Sequence, residues 1–186
     1  MTSLARKTDF CDNADAETLA HQQARSKEGC PVLVRQAEKS DKAGVIEQAR
    51  AFFAASPMGQ RVDFDEAGFG AFLDHVDASD AAQVWVADKG GDVVGIAGAM
   101  AFPLYFAPSV TVAQELFWWV DPAERGSSAG KQMMFAIEGW AEQIGASQLF
   151  MIALENERAG TMERVYSRSG FMPIERTFTK EIRHGH

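Results

Sequence analysis

Residues 120–131 form a turn rich in small residues between two apolar segments of different periodicity. The preceding segment, 116–120, consists of the aromatic and aliphatic residues that a buried strand requires, whereas residues 133–144 repeat apolar side chains at helical spacing. The order is therefore strand, turn, helix. The first amides of a helix lack intrahelical partners, and the helix dipole places about half a positive charge at that end. Such a turn is suited to bind phosphate without a metal.

Two common phosphate-binding motifs do not fit this turn. A Walker A loop needs four residues between its glycines and a Ser or Thr after its Lys, but Gly126 and Gly130 enclose three residues, and Gln132 follows Lys131. A dinucleotide-binding loop needs the spacing Gly-x-Gly-x-x-Gly, which residues 125–130 do not supply. The turn therefore belongs to neither class.

A third pattern matches both this turn and a segment downstream of it. Val120 and Pro122 end the strand, Arg125 and Gly130 follow in the turn, and residues 166–171 read Tyr-Ser-Arg-Ser-Gly-Phe. These residues resemble the pyrophosphate loop and the Tyr-x-x-x-Gly-Phe signature of the Gcn5-related N-acetyltransferase (GNAT) family. The resemblance covers residues 32–180 and implies that family's α/β (α+β) fold, a mixed, mostly antiparallel sheet flanked by helices.

The periodicity of the chain predicts the elements of such a fold in order. Strands are expected at 32–36, 83–87, 93–101, 110–120 and 148–154, with a last strand opening at Phe171, and helices at 43–55, 64–76, 133–144 and 158–169. Ser40-Asp41 is a predicted N-cap, 89–92 a predicted hairpin turn, and Pro103 and Pro108 are expected to bracket a loop. Residues 31–182 are thus expected to form one domain, with a flexible or helical extension at 1–30 and a tail at 183–186.

The resemblance implies acetyl-CoA as the cosubstrate. In the family, backbone amides near the end of the fourth strand bind the pantetheine arm, which places Trp118, Trp119 and Val120 at that contact. The tryptophan side chains themselves are interpreted first as packing on opposite faces of the sheet, and second as substrate contacts. The pyrophosphate is expected at the turn, at Arg125, Gly126, Ser127, Ser128, Ala129, Gly130 and Lys131.

Two positions depart from the family pattern. Ser128 stands in place of the middle glycine, where it narrows the room for pyrophosphate unless it serves as the helix N-cap. Ala159 replaces an Asn that often precedes the tyrosine, and the nearby Asn156 is expected to lie outside the helix. These departures predict weaker binding of the cofactor.

Two side chains are candidates for proton transfer. Tyr166, at the family's signature position, is the candidate general acid, since a phenol can protonate a departing thiolate; the alternative is a core tyrosine. Glu115, five residues before Val120, is the candidate general base, and its alternative is an exposed strand residue. The cluster of Asp63, Asp65 and Glu66 is read as helix N-cap residues or as an attraction for a cationic amine.

Composition limits the partners. A net charge of −8 argues against nucleic acid and anionic membranes, whose binding needs clustered cations. The two cysteines and four histidines show no metal-ligand spacing, so no metal is expected and the thiols are expected to be reduced. The N-terminus lacks the layout of a signal peptide, which predicts a cytoplasmic protein.

These observations predict an acetyl-CoA-dependent N-acetyltransferase that acts directly on a primary amine of a small molecule or peptide, with small amines preferred. Residues 131–186 contain no cysteine, which disfavours a covalent acetyl-enzyme. The alternative is a degenerate relative that binds acyl-CoA as a sensor without catalysis. Dimerisation is frequent in the family, so a homodimer is compatible with the resemblance.

Overall fold

The structure is a computed structural model that describes residues 30–156 and 158–182. The extension and the tail predicted from the sequence concern residues outside these ranges, apart from Cys30, which is exposed. The chain divides into two compact units with a boundary between Ile152 and Ala153.

A five-stranded sheet forms the centre of the first unit. Its strands follow chain order across the sheet, and every neighbouring pair is antiparallel except the last, which is parallel. This arrangement confirms the predicted mixed, mostly antiparallel sheet. The strands are β1 (Leu33–Gln36), β2 (Ala82–Lys89), β3 (Asp92–Leu104), β4 (Ala107–Val120) and β5 (Leu149–Phe150).

Helices cover both faces of this sheet. Helices α1 (Lys42–Ala54) and α2 (Glu66–Asp77) pack on one face, around a core of Val45, Ala49 and Phe117. Helix α3 (Ala129–Gln143) packs on the other, where four alanines, at 87, 97, 99 and 113, face Met133 and Ile137. Small residues on the strands allow the helix to approach the sheet closely.

The β2–β3 hairpin confirms its sequence prediction. Gly90 and Gly91 have φ values of 61° and 91°, which glycine adopts without steric cost. The loop predicted between Pro103 and Pro108 is present but shorter than predicted. Leu104 pairs with Ala107, so only two residues connect β3 and β4. The pairing of β3 with β2 ends at Met100, so one edge of β3 has no β2 neighbour at Pro103. Proline, which has no backbone N–H to donate, is tolerated at such an edge.

Two further predictions need correction. Asp41 is the N-cap residue of α1, as predicted, but its side chain makes no capping bond to the helix, because its carboxylate accepts bonds from Arg35 (2.6 and 2.8 Å) and from the Glu38 amide (2.7 Å). The last strand, expected to open at Phe171, is not formed within residues 171–182. Apolar side chains of that segment remain exposed, so no burial stabilises a strand there; they include Met172, Ile174 and Phe178.

The second unit contains helix α4 (Ala159–Arg168), close to the predicted span 158–169. Gly170 follows it with a φ of 88°, as a helix-ending glycine does. The Tyr166 and Phe171 rings meet edge to face with centroids 5.7 Å apart. Throughout both units, no described helix is long and apolar enough to cross a membrane.

Candidate active site

The turn between β4 and α3 has the predicted strand–turn–helix order. Asp121 begins a short 3-10 turn (Pro122–Glu124) by accepting a hydrogen bond from the Ala123 amide at 2.8 Å. Gly126, with a φ of 102°, then redirects the chain toward α3. The Lys89–Glu124 ion pair (2.7 Å, both side chains 19 % exposed) ties this turn to the end of β2. The start of α3 is therefore held near the end of β4.

Ser128 occupies the N-cap position of α3, but its side chain makes no capping hydrogen bond. Instead its hydroxyl accepts a 2.6 Å bond from the Gln132 amide group. Ser128 therefore takes the N-cap position considered for it, without the capping interaction. The Gln132 side chain also accepts from Val34 N in β1 and donates to Val32 O just before β1 (3.4 Å each), which links the first turn of α3 to the sheet.

Gly130 lies in the first turn of α3, where a ligand would meet the backbone. A Cβ at this position would lie 3.6 Å from the Trp118 ring and 4.0 Å from Val120, which are ordinary contacts. The protein itself therefore does not require glycine here. The space beside this residue is compatible with close approach of a ligand.

The two cations of the turn differ in their surroundings. The Arg125 Nε donates to the Val120 carbonyl at 3.0 Å, and its guanidinium carbon lies 4.4 Å from the centroid of the Trp119 ring. Lys131 is exposed, with its Nζ 5.3 Å from the centroid of the Phe135 ring. The structure thus places the Arg125 side chain against β4 and Trp119, and Lys131 on the outer surface of α3.

Trp118 and Trp119 pack on opposite faces of the sheet, as predicted. Trp118 joins the core beneath α3, and Trp119 joins the core beneath α1 and α2. The Trp119 indole donates to Gln48 at 3.0 Å, and Gln48 in turn donates to the Val93 carbonyl at 3.0 Å. These two bonds fix the Trp119 ring.

The backbone of β4 presents one edge to β3 and the other to β5. Asp121 N donates to Val94 O of β3 at 2.9 Å. Because hydrogen-bonding directions alternate along a strand, the amide of Val120 points to the opposite edge. The β4–β5 register comprises two pairs, Ala113–Leu149 and Gln114–Phe150, so this edge of β4 extends well past β5.

Glu115 lies where β5 leaves β4, and its side chain is 4 % exposed. One carboxylate oxygen accepts a 2.9 Å hydrogen bond from the Ile152 amide. Burial raises the pKa of Glu115 to about 7, while the hydrogen bond from Ile152 acts in the opposite direction. The alternative of an exposed strand residue was therefore wrong, and this carboxyl is suited to exchange a proton near neutral pH.

A β-bulge follows Glu115 directly. Gly98 pairs with Phe117 and Ala99 with Glu115, so Leu116 is an extra residue on β4. A bulge changes the direction of the strand locally and shifts its alternation by one residue. Because of this shift, Glu115 and Trp118 lie on the same face as Ala113, the face that α3 covers.

Tyr166 belongs to the second unit, on α4, and its side chain is 8 % exposed. In the first unit, Glu115 and the turn lie on one strand and its continuation, with Glu115 in β4 and the turn after the end of β4. Asn156 lies before α4, as expected, and its side-chain oxygen accepts a bond from the Arg158 amide at 2.9 Å.

Two residues of the predicted acidic cluster, Asp65 and Glu66, are engaged within the protein. Asp65 caps α2 by accepting from the Gly68 amide at 2.9 Å, and Glu66 pairs with Arg50. Arg50 and Glu66 also line a cleft of about 520 Å³ between α1 and α2. Asp65 and Glu66 therefore act as local structural residues.

Sequence reasoning missed Gln48 and Gln132. Gln48 was detectable as a polar residue beside Val45, Ala49 and Phe52 on the apolar stripe of α1. Gln132 had no comparable signal, because its partners on β1 are about a hundred residues away. Among residues 30–156 and 158–182, no group of three or more His, Cys, Asp or Glu side chains is arranged to hold a metal ion.

Residues 46–171 match the model of the acetyltransferase (GNAT) family. No curated protein matches the sequence significantly. Solved structures share its fold at low identity. They include aminoglycoside N-acetyltransferase AAC(6')-Iy in complex with CoA (18 % identity, 84 % of this chain and 97 % of that chain, TM-score 0.66). Two others each cover 82 % of this chain and 99 % of their own: glucosamine-6-phosphate N-acetyltransferase from Arabidopsis thaliana (16 %, TM-score 0.64) and ribosomal-protein-alanine N-acetyltransferase from Brucella melitensis biovar Abortus 2308 (15 %, TM-score 0.63).

Proposed function

This chain belongs to the GNAT acetyltransferase family, and we propose that it transfers an acetyl group from acetyl-CoA to a primary amine of a small molecule or peptide. The observation that carries the proposal is on β4. This strand holds the buried Glu115 at one point and leads into the turn at the start of α3. Glu115 pairs with Ala99 and Val120 with Gly95, so the two positions are four residues apart along β3, about 13 Å. That span suits a ligand whose thioester and pyrophosphate are joined by a long arm.

The cosubstrate would lie along β4 and against α3. The pyrophosphate would meet the first amides of α3 and the turn residues from Gly126 to Lys131, where the helix dipole favours an anion. The pantetheine arm would pair with the edge of β4 to which the Val120 amide points. The space at Gly130 supports this placement, and the CoA complex of AAC(6')-Iy supports the choice of ligand.

The reaction would proceed directly in a ternary complex. The amine nitrogen attacks the thioester carbonyl, a C–N bond forms and the C–S bond breaks. Glu115 takes the proton that the nitrogen loses, directly or through a water, because a carboxylate with a pKa of about 7 is a competent base near neutral pH. Tyr166 is the proposed donor of the proton to the CoA thiolate, because of its position in the sequence signature.

Acceptor specificity is proposed only as a class. The related structures act, by their names, on an aminoglycoside, on glucosamine 6-phosphate and on a ribosomal-protein alanine. A cationic amine is favoured by the net charge of −8, whereas Asp65 and Glu66 are already engaged. We also propose that the protein is cytoplasmic, forms a homodimer and binds neither nucleic acid nor membranes.

The second candidate is an acyl-CoA sensor without catalysis. Ser128 in place of the family's glycine favours it, because a side chain at this position takes part of the room for pyrophosphate. A sensor would bind acetyl-CoA and release no thiol with any amine. Turnover with one amine would exclude it.

The test is release of free CoA thiol from acetyl-CoA across a panel of small amines and N-terminal peptides. Tyr166→Phe should lower kcat about 100-fold while acetyl-CoA affinity stays unchanged. Tyr105→Phe is the matched control, since Tyr105 is the only other tyrosine and is 74 % exposed. Equal turnover in the two variants would remove Tyr166 from the mechanism.

A further inference from the structure

The parallel pairing of β4 with β5 stops at a definite residue. Ala113 N donates to Gln148 O at 2.9 Å, and the register pairs Ala113 with Leu149 and Gln114 with Phe150. Hydrogen bonds in a parallel ladder are evenly spaced, so the next bond of this register would run from Ile152 N to the backbone carbonyl of Glu115. The strand pairing ends before that bond.

The side chain of Glu115 takes the place of its own carbonyl. Its carboxylate accepts the Ile152 amide at 2.9 Å, the distance of an ordinary hydrogen bond. Directly paired strands lie about 4.8 Å apart. Because Ile152 N bonds to a side chain that leaves the sheet on the α3 face, and not to the β4 backbone, the chain at Ile152 has left the line of the parallel ladder.

The energetics favour this arrangement over simple pairing failure. Glu115 is 4 % exposed, and no buried side-chain N or O atom in the described part of the chain lacks a hydrogen-bond partner. Without the Ile152 amide this buried carboxyl would lose a hydrogen-bond donor, and an unpaired buried polar group is costly. Removing the carboxylate would leave a buried space beside β4, which the chain could close by pairing.

We infer that Glu115, besides its proposed catalytic role, is a positioning residue that holds the backbone at Ile152 out of pairing with β4 and so keeps the edge of β4 open to the pantetheine arm of acyl-CoA. The inference rests on the proposed function for the identity of the ligand. The separation itself depends only on the bond to Ile152 and on the end of the ladder. The two can therefore be tested apart.

Three variants separate the positioning role from base catalysis. Glu115→Gln keeps an oxygen acceptor for Ile152 N but cannot accept a proton, so acetyl-CoA should bind within about threefold of wild type while kcat is lost. Glu115→Leu removes the acceptor and should weaken acetyl-CoA binding at least tenfold. Val45→Ala, a buried site on α1, is the control for a general loss of core stability and should bind normally.

Hydrogen exchange at the Ile152 amide provides the measurement without ligand. Its protection should be retained in Glu115→Gln. In Glu115→Leu the environment of this amide should change, with an altered exchange rate and chemical shift, whereas Val45→Ala should leave both unchanged.

Normal acetyl-CoA affinity in Glu115→Leu, or equal losses in the Gln and Leu variants, would overturn the inference. If wild-type protein binds no acetyl-CoA, the proposed function fails. In that case an Ile152 amide unaffected by Glu115→Leu would also refute the positioning role.

Discussion

Burial of Glu115 predicts a specific dependence of stability on pH. The carboxyl has an ordinary pKa of 4.5 and a pKa of about 7 in the folded protein, because burial disfavours its charged form. Each pKa unit corresponds to about 1.4 kcal/mol, so the difference corresponds to about 3 kcal/mol. The folded protein holds this proton more tightly than the unfolded chain. The stability that protonated Glu115 contributes to the folded protein is therefore fully present below pH 4.5 and is lost as the pH rises through 7.

Glu115→Gln removes this titration while nearly preserving the shape of the side chain. Between pH 5 and pH 8, the free energy of unfolding of wild type should fall by about 2.5 kcal/mol relative to that of the variant. Near the unfolding temperature this corresponds to a relative shift in Tm of about 5–10 °C for a chain of this size. The substitution also changes the strength of the hydrogen bond to Ile152. A change that is the same at both pH values cancels, because only the change in the free energy of unfolding from pH 5 to pH 8 is compared between the two proteins.

Urea unfolding at pH 5, 6, 7 and 8 measures this difference directly. Glu47→Gln, at an exposed position on α1, is the control and should give a curve parallel to wild type. Parallel curves for wild type and Glu115→Gln would contradict the raised pKa of Glu115, since a buried carboxyl that must ionise cannot leave stability unchanged across this range.

Three further predictions concern the turn, the fixed tryptophan and the base. Gly130→Val should weaken acetyl-CoA binding at least tenfold in calorimetry by blocking backbone approach, and normal binding by the folded variant would contradict the phosphate placement. Trp119→Phe should lower the free energy of unfolding by about 1–2 kcal/mol in urea, because Gln48 loses its indole partner, and an unchanged midpoint would contradict that. The kcat/KM of wild type should rise with pH through about 7 as Glu115 loses its proton, and a flat profile would exclude it as the base.

The sequence predicted those features that depend on local chemistry. The glycines at 90 and 91 specify a tight turn, alternation places Trp118 and Trp119 on opposite faces, and Gly170 ends a helix. Each of these follows from a backbone preference or from a period of two. Local signals of this kind require no knowledge of distant partners.

Features that depend on pairing partners were not accessible from the sequence. Pro103 and Pro108 suggested a longer loop because proline cannot donate a hydrogen bond to a neighbouring strand. At Pro103, however, one edge of β3 has no β2 neighbour, and this is visible only in the folded sheet. The segment after Phe171 has residue types that suit a strand, yet a strand also needs a paired edge. The burial of Glu115 depends on the end of β5, which the apolar run at 148–154 does not reveal.

Calorimetric titration of the purified protein with acetyl-CoA, with CoA and ATP in parallel, tests the central claim most directly. The account predicts micromolar binding of acetyl-CoA and CoA and none of ATP, because the site must hold both a pyrophosphate and a pantetheine arm. Absence of binding by both CoA species would contradict it. That result would mean that the turn with Ser128 does not hold the family's ligand.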